Sequence, residues 1–177
     1  MLPGTTIELE ISQWKNADEV LEHMFLSGGL MLSQVSRLAG IAPHEVQNWV
    51  RRGFVSPPRN KLYSRRQLSR IFIINMLRSS LQIDRICALL GYINGHLDDE
   101  SDDSIDDTRL YAYLIKLCAE AELGQGNDPL ALLQDYVEPF PGARARIARV
   151  LDVMFTAYKA GIFKQRAESM IMDLDLD

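Results

Sequence analysis

Apolar residues recur through most of this chain at the three- and four-residue spacing of a helix face. Ala17, Val20, Leu21, Met24 and Phe25 form the first such stripe. Asn16 stands where an N-cap belongs, Asp18 and Glu19 suit a first turn, and Gly28-Gly29 is a stop. A short helix is predicted from Ser33, with Val35, Leu38 and Ala39 inward and Gly40 at its end. A second short helix starts near Pro43, a good first-turn residue, and carries Val46, Trp49 and Val50 to Gly53. Ala42, just before it, offers no capping oxygen. Pro57-Pro58 excludes helix in the loop that follows.

The next start signal is complete. Ser64 and Gln67 have capping-box spacing, and Tyr63 and Leu68 sit where a hydrophobic staple closes. That helix is predicted through Ile71, Ile74 and Leu77 to about Arg78, and another from Gln82 to Gly91. A helix bearing Leu110, Leu114, Leu117, Cys118 and Ala121 is broken by "GQGNDP", residues 124–129. A short one follows around Leu130 to Tyr136, then an "EPFPG" turn. The last strong helix is predicted over Ala143 to Ala160, with a broad stripe from Ile147 to Tyr158 and Gly161 as its stop. The ending "MDLDLD" is expected to fray.

Charge changes the picture. The chain is acidic, with net charge -5, yet no acid lies between Val46 and Ile83, where eight basic residues are gathered. Segregation of this kind points to a polyanion partner, or to internal ion pairs between the basic and acidic parts. The acids concentrate in "DDESDDSIDD", residues 98–107, read as a solvated, mobile loop whose late acids favour the start of the next helix. A calcium loop fits poorly, since the EF-hand glycine and terminal glutamate are missing.

Enzyme chemistry finds little footing. His23, His44 and His96 lack metal-ligand spacing, and no P-loop, G-x-S-x-G or GxGxxG occurs. Cys87 and Cys118 lie at apolar helical positions and read as packing residues. No catalytic residue, metal or cofactor is therefore expected. The longest apolar stretch, Ile71 to Leu77, is too short for a membrane span, and reduced cysteines suit a cytoplasmic protein.

Two short helices joined through Gly40 form a helix-turn-helix pattern. Residues 31–90 resemble the DNA-binding head of MerR-type bacterial regulators. The resemblance rests on Val35, Leu38-Ala39-Gly40-Ile41, Gly53, the prolines before Arg59, Tyr63-Ser64, Leu68, and Ile83, Ile86, Leu89 and Leu90. It implies a winged helix-turn-helix. The whole chain also resembles the bacterial domain-of-unknown-function family 1836, whose members pair such a head with a helical tail.

The expected fold is mainly α. It has an N-terminal helical arm (1–29), a MerR-like winged head (30–92), an acidic loop (93–107) and a helical tail (108–177). The expected function is transcription control by binding double-stranded DNA. On the second short helix His44, Gln47 and Asn48 are left exposed to read bases, since Gln and Asn pair bidentately with adenine. Arg51, Arg52, Arg59, Lys61, Tyr63, Arg65 and Arg66 would hold the backbone. Arg65 and Arg66 carry the strongest argument, because cations in a helix's first turn oppose its dipole but suit a phosphate. The tail would form a homodimer through the stripe Ile147 to Tyr158, bind a protein partner or sense an effector. The alternative is a protein-interaction adaptor whose basic face meets an acidic partner without DNA.

Overall fold

The computed structural model describes residues 1–26, 28–95, 97 and 103–174. The described residues are mainly helical. They form α1 (Ala17–Met24), α2 (Leu32–Ala39), α3 (Pro43–Arg51), α4 (Arg65–Leu77), α5 (Ile83–Asn94), α6 (Asp107–Glu122), α7 (Pro129–Leu132) and α8 (Ala143–Met172). Strand β1 (Leu30–Met31) pairs antiparallel with β2 (Leu62–Tyr63), in the register Leu30 to Tyr63 and Met31 to Leu62.

Most start signals act as local chemistry demands. Ser64 Oγ accepts from Gln67 N at 3.3 Å and Gln67 Oε1 accepts from Ser64 N at 2.8 Å, which closes the box on α4. Tyr63 and Leu68 are both buried beside it. Asp106 caps α6 by accepting from Thr108 N at 2.7 Å. Asn16 does not cap α1. The chain enters that helix from a 3-10 turn, Ile11–Asn16, and the Asn16 side chain makes no cap bond. Helix α5 extends to Asn94, a turn past Gly91.

Helix α4 is the centre of the molecule. Gln67 to Ile74, Met76 and Leu77 are all buried, so it is covered on every side rather than along one stripe. It packs against α2, α5, α6 and α8. One core cluster runs from Leu2 to Ala157 and includes residues of α1 to α6 and α8. The division into head and tail at 93–107 is therefore not a break in the core. Head and tail helices bury one another.

The N-terminal residues complete the helix pair. Thr6 donates from its backbone N and from Oγ1, both at 2.8 Å, to the carbonyls of Leu38 and Arg37 at the open end of α2. Asn75 Nδ2 bridges the carbonyls of Ala39 (2.7 Å) and Gly4 (3.0 Å). Gly4 has φ +77°, and a Cβ there would lie 2.4 Å from the Phe72 carbonyl oxygen. Gly4→Ala is expected to cost about 2–4 kcal/mol, because a helix backbone cannot give way and the φ is strained. A urea melt checks this; an unchanged midpoint would mean that the segment does not dock on α4.

Two expectations for the tail are corrected. Helix α8 continues through Gly161 to Met172. Gly161 is buried, and a Cβ there would meet Ser79 Oγ at 2.4 Å, so the glycine marks a close crossing rather than a stop. The stripe Ile147 to Tyr158 is not available for a second chain either. Ile147, Leu151 and Met154 are fully buried within this one.

The acidic loop also departs from a solvated run. Residues 98–102 lie outside the described residues. Beyond them, Ser104, Ile105 and Asp107 are buried. Asp107 Oδ2 accepts from Arg70 at 3.0 Å and its Oδ1 from Asn94 Nδ2 at 3.3 Å, while Arg70 Nε donates to the Phe54 carbonyl at 2.7 Å. Burial pushes the Asp107 carboxyl above the ordinary carboxylate range, against the pull of Arg70. Ile105 draws the chain inward and brings the flanking acids to α4.

Candidate nucleic-acid interface

Helix α3 is built with one face for the core and one for solvent. Val46 and Trp49 are buried. His44, Gln47 and Arg51 are exposed and Asn48 is half-buried. These four fall at the i, i+3, i+4, i+7 spacing of a single stripe, which carries hydrogen-bonding groups and no acid. Asn48 Oδ1 accepts from Arg51 at 2.7 Å, so the two side chains are held side by side.

The absent N-cap of α3 is supplied from inside the helix. Glu45 Oε2 accepts from Ala42 N at 3.0 Å, and its other oxygen accepts from Arg78 at 2.6 Å. The Arg78 bond holds the Glu45 carboxyl below its usual range. Arg78 lies over the Trp49 ring at 5.5 Å. The one acid of α3 is thus turned to α4 and neutralised there, away from the polar stripe.

Downstream of α3 the chain makes a tight turn. Arg59 and Leu62 exchange backbone hydrogen bonds at 3.1 and 2.9 Å. Asn60 and Lys61 between them have φ of 50° and 63°, the pair of positive values that a two-residue hairpin turn requires. Arg59 and Lys61 are exposed at its tip. The β1 and β2 ribbon anchors its base.

The ten residues expected at the interface do not share one fate. His44, Gln47, Asn48, Arg51, Arg59 and Lys61 keep outward positions. Arg52 is exposed, stacks over Phe54 at 4.5 Å and reaches Asp84 at 3.5 Å. A pair so open to water is weak enough to be exchanged for another anion. Tyr63 is buried in the core, so its ring packs instead of reaching outward. Arg65 is half-buried at the first position of α4, and its Nε has no hydrogen-bond partner among the described residues. Arg66 is bound to Asp103, and the side chains of both are mostly shielded from solvent. Its charge is met by a carboxylate of the chain itself. Four basic residues of the segment, Arg52, Arg66, Arg70 and Arg78, are ion-paired. Arg51, Arg59, Lys61 and Arg65 have no carboxylate within salt-bridge distance among the described residues.

The buried ion pair Arg70–Asp107 is what sequence reasoning missed. An arginine inside an otherwise apolar run, "LSRIFIINML", is its signal, since a charge there needs a partner. Among the described residues no group of His, Cys, Asp and Glu is arranged to hold a metal ion, and no helix is long and apolar enough to cross a membrane. Burial raises the Cys118 thiol far above its ordinary range.

A model of the family described as Domain of unknown function (DUF1836) matches residues 19–114, more than half of the chain. That match carries no MerR-type assignment. No curated protein and no solved structure matches the chain. The matched segment runs from α1 into α6. It takes in the helix pair, the tight turn, the central helix and both carboxylates that pair with it. By the extent of that match, the chain belongs to the DUF1836 family.

Proposed function

We propose that this protein binds duplex DNA as a sequence-specific regulator, with α3 in the major groove. The observation that carries the reading is the outward stripe of α3. His44, Gln47 and Asn48 present donors and acceptors suited to base edges, and Arg51 ends the row. The pairing of short helices α2 and α3, with a tight basic turn after them, is also the arrangement that the MerR-like resemblance implies. Arg51, Arg52, Arg59, Lys61 and Arg65 serve the phosphates. Arg66 and Tyr63 are left out of that set, because one is paired internally and the other is buried.

The adaptor reading draws on one feature, the docking of Asp103 against Arg66, where a protein carboxylate already meets this basic segment. Selection from a random duplex pool with the purified chain separates the two. A DNA-binding protein enriches a motif. Its affinity falls with salt by about 0.9 log units per log unit for each neutralised phosphate, so up to roughly 4.5 for five cations. No enrichment, and no retention on duplex at low salt, would leave the basic face to a protein partner.

A further inference from the structure

Helix α8 is longer than the body it packs on. Ala143 to Gly161 carries the buried positions, whereas every residue from Phe163 to Leu174 is exposed. Phe163, Ala167 and Met170 of α8, with Leu174 in the turn just past its end, recur at spacings of four, three and four, the alternation of a coiled-coil seam. Phe163 is 62% exposed, Met170 59% and Leu174 64%, so the seam faces water along its length. Such a stripe on a projecting helix marks a contact surface rather than scattered surface apolar residues.

The flanking charges select the occupant. Arg166 and Asp173 each stand one position before a seam residue, Ala167 and Leu174, on the same edge of the stripe. In an antiparallel pair of identical helices that edge meets itself. We propose that the projecting end of α8 pairs antiparallel with the same segment of a second copy. Ala167 then faces the partner's Met170, and Phe163 faces the partner's Leu174. Two-fold symmetry repeats both contacts, giving four layers over residues 163–174. In this register Arg166 meets the partner's Asp173, and by symmetry so does its mirror pair. A parallel arrangement would instead set Arg166 beside the partner's Ile171 and leave both charges without a partner. Small Ala167 opposite long Met170 fills each of the two central layers with one small and one large side chain.

Four layers make a small contact, so the dimer is a concentration-dependent one. It uses none of the residues assigned to DNA, and its test needs no DNA. Sedimentation of the full chain over a concentration series should show the mass rising from 20.1 kDa towards twice that value. Phe163→Glu should keep the chain monomeric. Arg166→Asp sets two pairs of like charges face to face, and should weaken association by roughly tenfold. Adding Asp173→Arg to Arg166→Asp restores opposite charges, and should recover most of that loss. All these positions are exposed, so thermal unfolding of the variants at low concentration should match the parent. A monomer at every concentration overturns the proposal. So does a dimer indifferent to Phe163→Glu, or one whose charge variants show neither the loss nor the recovery.

Discussion

Asp107→Ala is expected to cost about 3–5 kcal/mol of folding stability, because it leaves the Arg70 guanidinium buried without its counter-charge. Arg70 cannot escape by losing its proton. It is held in place by the Phe54 carbonyl at 2.7 Å, and α4 is covered on all sides around it. Arg70→Met should cost a comparable amount, since among the described residues Asp107 would then keep only Asn94 as a side-chain donor, at 3.3 Å. The informative variant is the double change Arg70→Met with Asp107→Leu, which removes both charges and fills the space with apolar atoms. It should recover most of the single-variant loss, as buried pairs replaced together often do. Urea unfolding of the four proteins closes the cycle. Additive losses in the double variant would mean that the two side chains are not coupled, and that the acidic segment is not pinned to α4 through them.

Gln47→Ala and Lys61→Ala should separate reading from holding. Gln47 lies mid-stripe on α3, fully outward, and its loss should cost on the order of 1–3 kcal/mol on the selected site and little on random duplex. Lys61 stands at the tip of the tight turn with no carboxylate beside it among the described residues. Its loss should weaken binding to all sequences alike and shrink the log–log salt slope by about one. Arg66→Ala serves as the contrast. With Asp103 already on Arg66, the variant should leave the salt slope unchanged while lowering the unfolding midpoint. Titrations on the selected and random duplexes at several salt concentrations measure all three. A Gln47→Ala loss equal on both duplexes would remove its base-reading role. A reduced slope for Arg66→Ala would show that DNA displaces Asp103.

Much of the local architecture was legible from residues alone, because its causes are local. Ser64 and Gln67 close a box over three residues, Pro43 sets a first turn, and Gly40 supplies the left-handed residue that ends α2. The outward stripe of α3 follows from the placing of Val46 and Trp49, so the candidate base readers came straight from periodicity. The start of α1 was not legible. A cap needs an extended residue, and whether Asn16 is extended depends on the 3-10 turn before it.

What only the tertiary structure decided is which charges are free. Arg65, Arg66 and Arg70 sit within six residues of one another and look alike in sequence. Asp103 and Asp107 arrive from beyond α5 and take two of them, because burying Ile105 draws that segment onto α4. Gly161 and the stripe from Ile147 to Tyr158 depend on distance in the same way. A glycine can end a helix or admit a neighbour, and here Ser79, far away in the chain, makes it the second. An apolar face wants burial but does not name its partner. Periodicity specified the faces and caps, since those energies arise within a few residues. Ion pairs and helix crossings join residues far apart in sequence, and only the assembled core brings them together.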